Sequence, residues 1–329
     1  MDLKCDAVFQ GGGVKGIGLV GAVAAVEKAG YSFMNVAGSS AGAIVSSLIA
    51  VGYNSEELRE VLNRLDYAKL KQKKFPGQLG APGEILNVVC GYGVYSADYF
   101  ENWLEELLAK KGKTRFKDIK TTFAEEKFHY KFNAIASDLT GGKMLVLPGD
   151  LKQFGFDPDE FKIAKAVRMS MSIPLFFQPY KLKDIDGREH IIVDGGLLSN
   201  YPIWLLDDNG KNPPWPTFGF KFQTEDEKKA GRGADKKIGI KSIFDYIMSL
   251  LQTMLDAHDK FHVSSSSGDF ERTIFISNAL GSDSKRKQIS TTDFDITRAE
   301  CDDLYKNGYS SAVKFLEDWN FEDWVKKYR

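Results

Sequence analysis

Ser40 lies in Gly38-Ser39-Ser40-Ala41-Gly42, a G-x-S-x-G pattern. A serine in that frame acts as an acyl nucleophile when a strand turns sharply into a helix and holds the hydroxyl at the apex. The flanking glycines leave room for the neighbouring strand and helix. Upstream, Gly11-Gly12-Gly13-Val14-Lys15-Gly16 forms a glycine-rich turn whose backbone N–H groups can hold the oxyanion that such an attack creates. The serine also needs a base. Asp194 ends the β-branched run Ile191-Ile192-Val193 and precedes Gly195-Gly196, where open α/β sheets place their sites. In water an aspartate is a weak base, with a pKa of about 4. Partly desolvated and bonded to the serine hydroxyl, it can take the proton as the new C–O bond forms and return it to the leaving alcohol. Taken alone, an Asp-Gly pair is a common turn cap.

The glycine-rich turn also fits G-x-G-x-x-G after the apolar strand Ala7-Val8-Phe9, the pattern of a dinucleotide-binding turn. That site needs an acidic residue about 20 positions further on, at the end of the second strand, to hold a ribose hydroxyl. Val36-Ala37-Gly38-Ser39-Ser40 stands there instead, without a carboxylate. No Gly-Lys-Ser/Thr follows at the spacing of a Walker loop. Histidine offers a third reading. Ser40, Asp194 and either His258 or His262 reproduce the chain order of an α/β-hydrolase triad. That fold places several strands ahead of its nucleophile, and here about two fit. His258 and His262 also fall late in a helical pattern over 242–263, where a polar edge or C-terminal cap is the simpler role. Asp194 is the preferred base.

A strand, a tight turn and a helix must surround Ser40. Phe33-Met34-Asn35-Val36-Ala37 has the composition of a short buried strand, and 43–51 that of a small apolar helix ended by Gly52. Helices are predicted over 55–66 and 96–111, capped by Ser55 and Ser96, and from about Asp159 to 171. Strands are predicted over 130–138 and 144–147 around Thr140-Gly141-Gly142, and over 191–193, 217–222 and 272–276. A last helix is predicted over 297–319. This alternation implies an α/β fold with a mainly parallel central sheet. No internal repeat or clear linker divides 1–329, which reads as a single domain.

Three motifs stand in order: G-G-G-x-K-G from Gly11 to Gly16, G-x-S-x-G from Gly38 to Gly42, and D-G-G from Asp194 to Gly196. Ser170-Met171-Ser172-Ile173-Pro174-Leu175-Phe176-Phe177 adds a segment of small residues, proline and aromatics ahead of the last motif. In this combination the chain resembles the patatin-like phospholipase family over about residues 5–222, leaving 223–329 as a helical and strand extension. The resemblance implies a lipid acyl hydrolase with a Ser–Asp dyad on a three-layer α/β/α sandwich, with no cofactor and no metal at the acyl-transfer centre. It makes Ser40 the nucleophile and Asp194 the base. The oxyanion hole is then drawn from the backbone N–H groups of Gly11, Gly12, Gly13 and Val14, joined by Ala41 as the residue after the nucleophile. Lys15 is a loop anchor, and Gly16, Gly38, Gly42, Gly195 and Gly196 shape the turns. Gln10 departs from the family pattern, in which many members carry Asp or Ser, and this bears on loop anchoring rather than on chemistry.

At 329 residues and 43% hydrophobic, the chain can bury a full core. Its 44 basic and 45 acidic residues leave a formal charge of −1, with no basic stripe of the kind that draws nucleic acid. Cys5, Cys90 and Cys301 are far apart and lack C-x-x-C spacing, so neither a disulfide framework nor a zinc site is indicated. The start lacks a signal-peptide apolar core and no run reaches the ~18 residues of a membrane span, so a reducing cytoplasm is the expected location.

The implied substrate is a fatty-acyl ester of a glycerophospholipid, met by peripheral contact at a membrane or micelle surface. Lys69, Lys71, Lys73 and Lys74 before Phe75-Pro76-Gly77 read equally as a lid with a basic skirt or as a solvated helix end. The C-terminal aromatics Trp319, Phe321, Trp324 and Tyr328 read as core or packed edge rather than membrane-facing. Two alternatives stay open. One is a broader esterase or acyltransferase on neutral or galactolipids. The other is a catalytically silent scaffold, although its expected sign, loss of Ser40 or Asp194, is absent. An unrestrained phospholipase would attack its own membrane, so an activator or a homo-oligomeric switch is expected to control it.

Overall fold

The computed structural model describes residues 3–70, 78, 91–123, 125–207, 213–223, 267–281, 287–291 and 293–329. The pattern over 242–263 with His258 and His262, Cys90, and most of the lysine-rich stretch after Lys69 lie outside the described residues.

The first strand, β1 (Leu3–Phe9), is buried from its third residue on. Cys5, Ala7 and Phe9 enter the larger core while Val8 enters a smaller one on the opposite face, the alternation expected of a central strand covered on both sides. Helix α1 (Gly16–Lys28) returns the chain to β2 (Tyr31–Ser39), which pairs parallel with β1. Helix α2 (Ala41–Val51) follows at once and ends on Gly52 in the left-handed conformation, φ 104°.

Among the described residues, eight strands form the main sheet. In chain order the rest are β4 (Phe132–Asp138), β5 (Lys143–Leu147), β7 (Tyr180–Lys183), β8 (Glu189–Asp194), β9 (Thr217–Gln223) and β10 (Thr273–Ser277). The short strands β3 (Gly93–Tyr95) and β6 (Leu175–Phe177) pair with each other apart from it. β10, β9, β1, β2 and β4 run parallel; β5 and β8 pair antiparallel with β4, and β7 pairs antiparallel with β8. The chain leaves β1 toward β2 on one side and later returns to place β9 on the other. This is the reversal at which open sheets form a crevice beyond their carboxyl ends.

The larger core packs α1, α2, helix Asp98–Lys110, helix Ile163–Met171 and the long helix Arg298–Asp318 on one face. On the other face the described cover is thinner, the helical turns Gly196–Ser199 and Ile203–Leu206 over Val8, Ala37 and Ile135. The result is the expected α/β fold with a mainly parallel sheet flanked by helices.

Some boundaries differ from expectation for identifiable reasons. Asn54, not Ser55, caps α3 (Ser55–Arg64), because its extended backbone lets Oδ1 accept from Glu57 N–H at 2.9 Å while Glu57 accepts from Asn54 N–H at 3.0 Å. The helix expected from Asp159 begins at Ile163. The Asp159 carboxylate is engaged elsewhere, by Lys120 and by the Tyr130 hydroxyl, both at 2.5 Å. After the long helix the chain breaks at Trp319 and forms a further short helix, Phe321–Tyr328, capped by Asn320. Trp324 there is buried and donates to the Gly268 carbonyl, while Trp319 packs on Phe218 and Phe315.

The contact of α1 with the long helix depends on missing side chains. A Cβ on Gly21 would lie 2.0 Å from the Tyr305 carbonyl oxygen, and one on Gly308 would lie 1.8 Å from that of Gly18. Gly21→Ala should therefore destabilise by about 1–3 kcal/mol despite alanine's higher helix propensity. Gly149→Ala, with open space around it, should stay within about 0.5 kcal/mol of wild type. Denaturant unfolding midpoints measure both, and a harmless Gly21→Ala would contradict the packing.

Candidate active site

β2 ends in Ser39, and Ser40 turns the chain into α2 with φ 51° and ψ −122°, a conformation that L side chains rarely adopt and that costs about 1–3 kcal/mol. The neighbours enforce it. A Cβ on Gly38 would come within 2.4 Å of the Gly42 carbonyl carbon, and one on Gly42 within 2.2 Å of the Phe9 carbonyl oxygen. Both glycines are needed because three stretches of backbone meet there.

Asp194 reaches the same place from the opposite direction. Along β4, β2 pairs with Phe132 to Ile135 and β8 pairs with Ala136 to Asp138, while β5 covers Ala134 to Asp138. Because β5 overlaps both, β2 and β8 share the remaining edge of β4. They run head-on along it, Ser39 opposite Ile135 and Asp194 opposite Ala136.

The segment 170–172 ties the two ends together. Ser40 N–H donates to Ser170 Oγ at 3.0 Å, Gly195 N–H to the Ser170 carbonyl at 3.2 Å, and Asp194 N–H to the Ser172 carbonyl at 2.9 Å. Ser39 Oγ donates to the Ser199 carbonyl at 2.6 Å. The Ser170-Met171-Ser172 run is visible in the sequence, but its bridging role is not, since each contact spans more than 20 residues of chain.

Asp194 is buried, and burial pushes its carboxyl up from 3.8 to about 7, against opposing contributions from the Ser40 hydroxyl and the Gly196 N–H. Oδ1 accepts from Gly196 N–H at 2.7 Å. Oδ2 has no partner at hydrogen-bonding geometry among the described residues. The Ser40 hydroxyl is thus near enough to stabilise the carboxylate without completing a direct bond to Oδ2.

In the glycine-rich turn, Gly11 N–H donates to the Asn200 carbonyl at 3.0 Å and Val14 N–H to the Thr291 carbonyl at 3.2 Å. Both donors are occupied, whereas the N–H groups of Gly12, Gly13 and Ala41 have no acceptor among the described residues. Gln10 anchors this turn through Oε1, which accepts from Phe222 N–H at 2.7 Å, and Lys15 Nζ lies 4.9 Å from the centre of the Phe222 ring.

Ser40 opens on a cavity of about 50 Å³ whose wall includes Ile44, Leu62, Phe100, Met171, Phe177 and Phe294, with no charged side chain among the described residues. Asp194 is not part of that wall. His190 serves neither residue. Its Nδ1 meets Asp138 Oδ2 at 2.8 Å and its Nε2 meets Asp184 Oδ2 at 3.2 Å, so both ring nitrogens are engaged. Among the described residues, no three His, Cys, Asp or Glu side chains converge as a metal site.

The patatin-like phospholipase family model matches residues 7–207, which contain the glycine-rich turn, the elbow and Asp194. The chain belongs to the patatin-like phospholipase family. It is 38% identical over 319 residues to the uncharacterized protein YqhO of Bacillus subtilis, covering 96% of this chain and 99% of that one. It is also 25% identical over 200 residues to a probable lipid hydrolase, 463L, of Invertebrate iridescent virus 6, covering 60% of this chain and 61% of that one. The crystal structure of VipD from Legionella pneumophila shares the fold, with a TM-score of 0.53 at 17% identity over 95% of this chain and 66% of VipD. The patatin-like chain thus spans somewhat under two-thirds of 463L and of VipD.

Ser40 pays for its position with backbone strain that glycine would not feel. Ser40→Gly should raise stability by about 1 kcal/mol in denaturant unfolding. An unchanged or lowered midpoint would mean that the elbow is not strained.

Proposed function

We propose that the chain is a serine lipid acyl hydrolase of the phospholipase A or lysophospholipase type, cleaving fatty-acyl esters of glycerophospholipids through a Ser40–Asp194 dyad. One observation carries this reading: a strained serine at the mouth of an apolar cavity, backed by a buried carboxyl with one unpartnered oxygen. Membership of the family and the viral relative's name support the lipid substrate.

In this mechanism Ser40 Oγ attacks the acyl carbonyl while its proton passes to Asp194 Oδ2. The N–H groups of Gly12, Gly13 and Ala41 hold the oxyanion, aided by the positive end of α2. Collapse breaks the ester bond, and the leaving alkoxide takes the proton from Asp194. A water then gives its proton to Asp194 and attacks the acyl-enzyme, releasing the fatty acid and restoring the Ser40 hydroxyl. The apolar cavity suits an acyl chain. Access would be from a bilayer or micelle surface, and among the described residues no helix is long and apolar enough to cross a membrane. An activator or homo-oligomeric switch belongs to the proposal, and full turnover by the purified monomer without additive would remove it.

Fatty-acid release from phospholipid vesicles, with a small chromogenic ester alongside, tests the reading. Ser40→Ala should abolish turnover and fluorophosphonate labelling, and Asp194→Asn should lower turnover by roughly 10²–10⁴. Faster cleavage of the small ester than of vesicle lipid would favour a broader esterase. Labelling without turnover on either substrate would point to a missing activator, and neither labelling nor turnover to a silent scaffold.

The base works only when ionised, and its carboxyl sits at about 7. Hydrolysis should therefore rise with pH, reach half its maximum near 7 and level off above it. A rate already at its plateau at pH 5 would rule out Asp194 as the base in this environment.

A further inference from the structure

Asp6 interrupts the apolar strand β1 and is buried, yet the acyl-transfer chemistry makes no use of it. The pairing of β1 with β2 slips between Cys5 and Ala7. At that irregularity Asp6 Oδ1 accepts from both the backbone N–H and the Nδ2 of Asn35, each at 2.9 Å. Burial pushes the Asp6 carboxyl up to about 6, opposed by these bonds, by a bond from the Trp215 side chain and by Lys127. Asn35 is 1% exposed, and its Oδ1 has no hydrogen-bond partner among the described residues.

Both residues line a second cavity of about 200 Å³, on the smaller-core side of the sheet. Asp6 and Asn35 each precede the catalytic turns by about five residues, roughly 15 Å along a strand. Four aromatic side chains contribute to the wall: Phe123, Phe128, Trp215 and Trp324.

Among the described residues, the cations around it are already engaged. Arg272 is held by Asp207 and Asp269. Arg329 lies 3.7 Å from Asp207 and 4.5 Å from the centre of the Trp324 ring. Lys127 bonds the Asp207 carbonyl and sits 3.4 Å from Glu125, and Lys4 lies over Trp215. Besides the Glu125 and Asp207 carboxylates, which face those cations, the described wall offers an acceptor pair, the Asp6 carboxylate and Asn35 Oδ1, among aromatic rings. Buried acceptors favour a ligand bearing N–H donors and positive charge, and aromatic faces favour a cation or a flat ring.

We propose that this cavity is a binding site for a small aromatic ammonium compound, separate from the acyl-transfer site. The ammonium is held by Asp6 and Asn35, and the ring packs among Phe123, Phe128, Trp215 and Trp324.

Titration calorimetry of the full chain tests this with benzylammonium, benzyl alcohol and benzoate as probes. Benzylammonium should bind at least tenfold more tightly than the neutral alcohol, with benzoate weakest. Ser40→Ala should leave that binding unchanged, and Asp6→Asn and Phe123→Ala should each weaken it about tenfold. The wild-type ligand series stands even if Asp6→Asn fails to fold. Failure of benzylammonium to bind, equal affinity for benzoate, or indifference to both wall variants would overturn the proposal. So would tenfold tighter binding of N-acetyl-lysine methylamide, which would assign the site to a lysine side chain of a protein instead. None of these outcomes depends on whether the chain hydrolyses lipid.

Discussion

Gly42 carries no side chain because the Phe9 carbonyl oxygen lies 2.2 Å from where its Cβ would be. The end of β1 and the first turn of α2 are therefore in backbone contact, and β2 joins them through Gly38, whose missing Cβ faces Gly42 at 2.4 Å. The placement of the rest of the site follows from that contact. It forces Ser40 into a left-handed turn, aims the start of α2 at the region beyond the strands, and sets the glycine-rich turn after β1 beside the serine. A larger residue at Gly38 or Gly42 would separate the layers, because neither carbonyl can move without breaking a sheet or helix bond.

The second requirement is a carboxylate out of water. Asp194 is raised to about 7 by desolvation, without the cation that usually accompanies a buried acid. Asp6, on the same sheet, is raised to about 6 for the same leading reason. Both bind a proton more tightly folded than unfolded, so each works against stability as pH rises from about 4 toward its folded value. Buried Arg272 shows the opposite arrangement, since Asp207 and Asp269 hold it in its charged form. Arg272 is held by two carboxylates, whereas among the described residues neither raised carboxyl has a cation in salt-bridge contact and each is bonded by neutral donors, Asn35 for Asp6 and Gly196 N–H for Asp194.

Local signals were legible wherever a few neighbouring residues decide the outcome. The left-handed Gly52 stop and the strand before Ser40 follow from composition within about ten residues. The cap of α3 did not, because Asn54 and Ser55 are both good caps and only backbone geometry chooses between them. The start of helix Ile163–Met171 was also hidden, since the capping candidate Asp159 is bound to Lys120 and Tyr130, about 30 to 40 residues away in the chain.

By itself the amino-acid sequence marked the elbow, the glycine-rich turn and the D-G-G strand end, because each is a short run of glycines, although the backbone that requires them comes from elsewhere in the chain, Phe9 at Gly42 and Ile135 at Gly195. It also marked Ser40 and Asp194 as the pair to consider. Only the tertiary structure decided how they meet: β2 and β8 run head-on along one edge of β4, a relation between strands more than 150 residues apart. It likewise decided that the N–H groups of Gly11 and Val14 are occupied while those of Gly12, Gly13 and Ala41 have no acceptor among the described residues. Hydrogen-bond partners supplied from distant segments leave no local trace, and the burial that raises the Asp194 carboxyl exists only once every layer is in place.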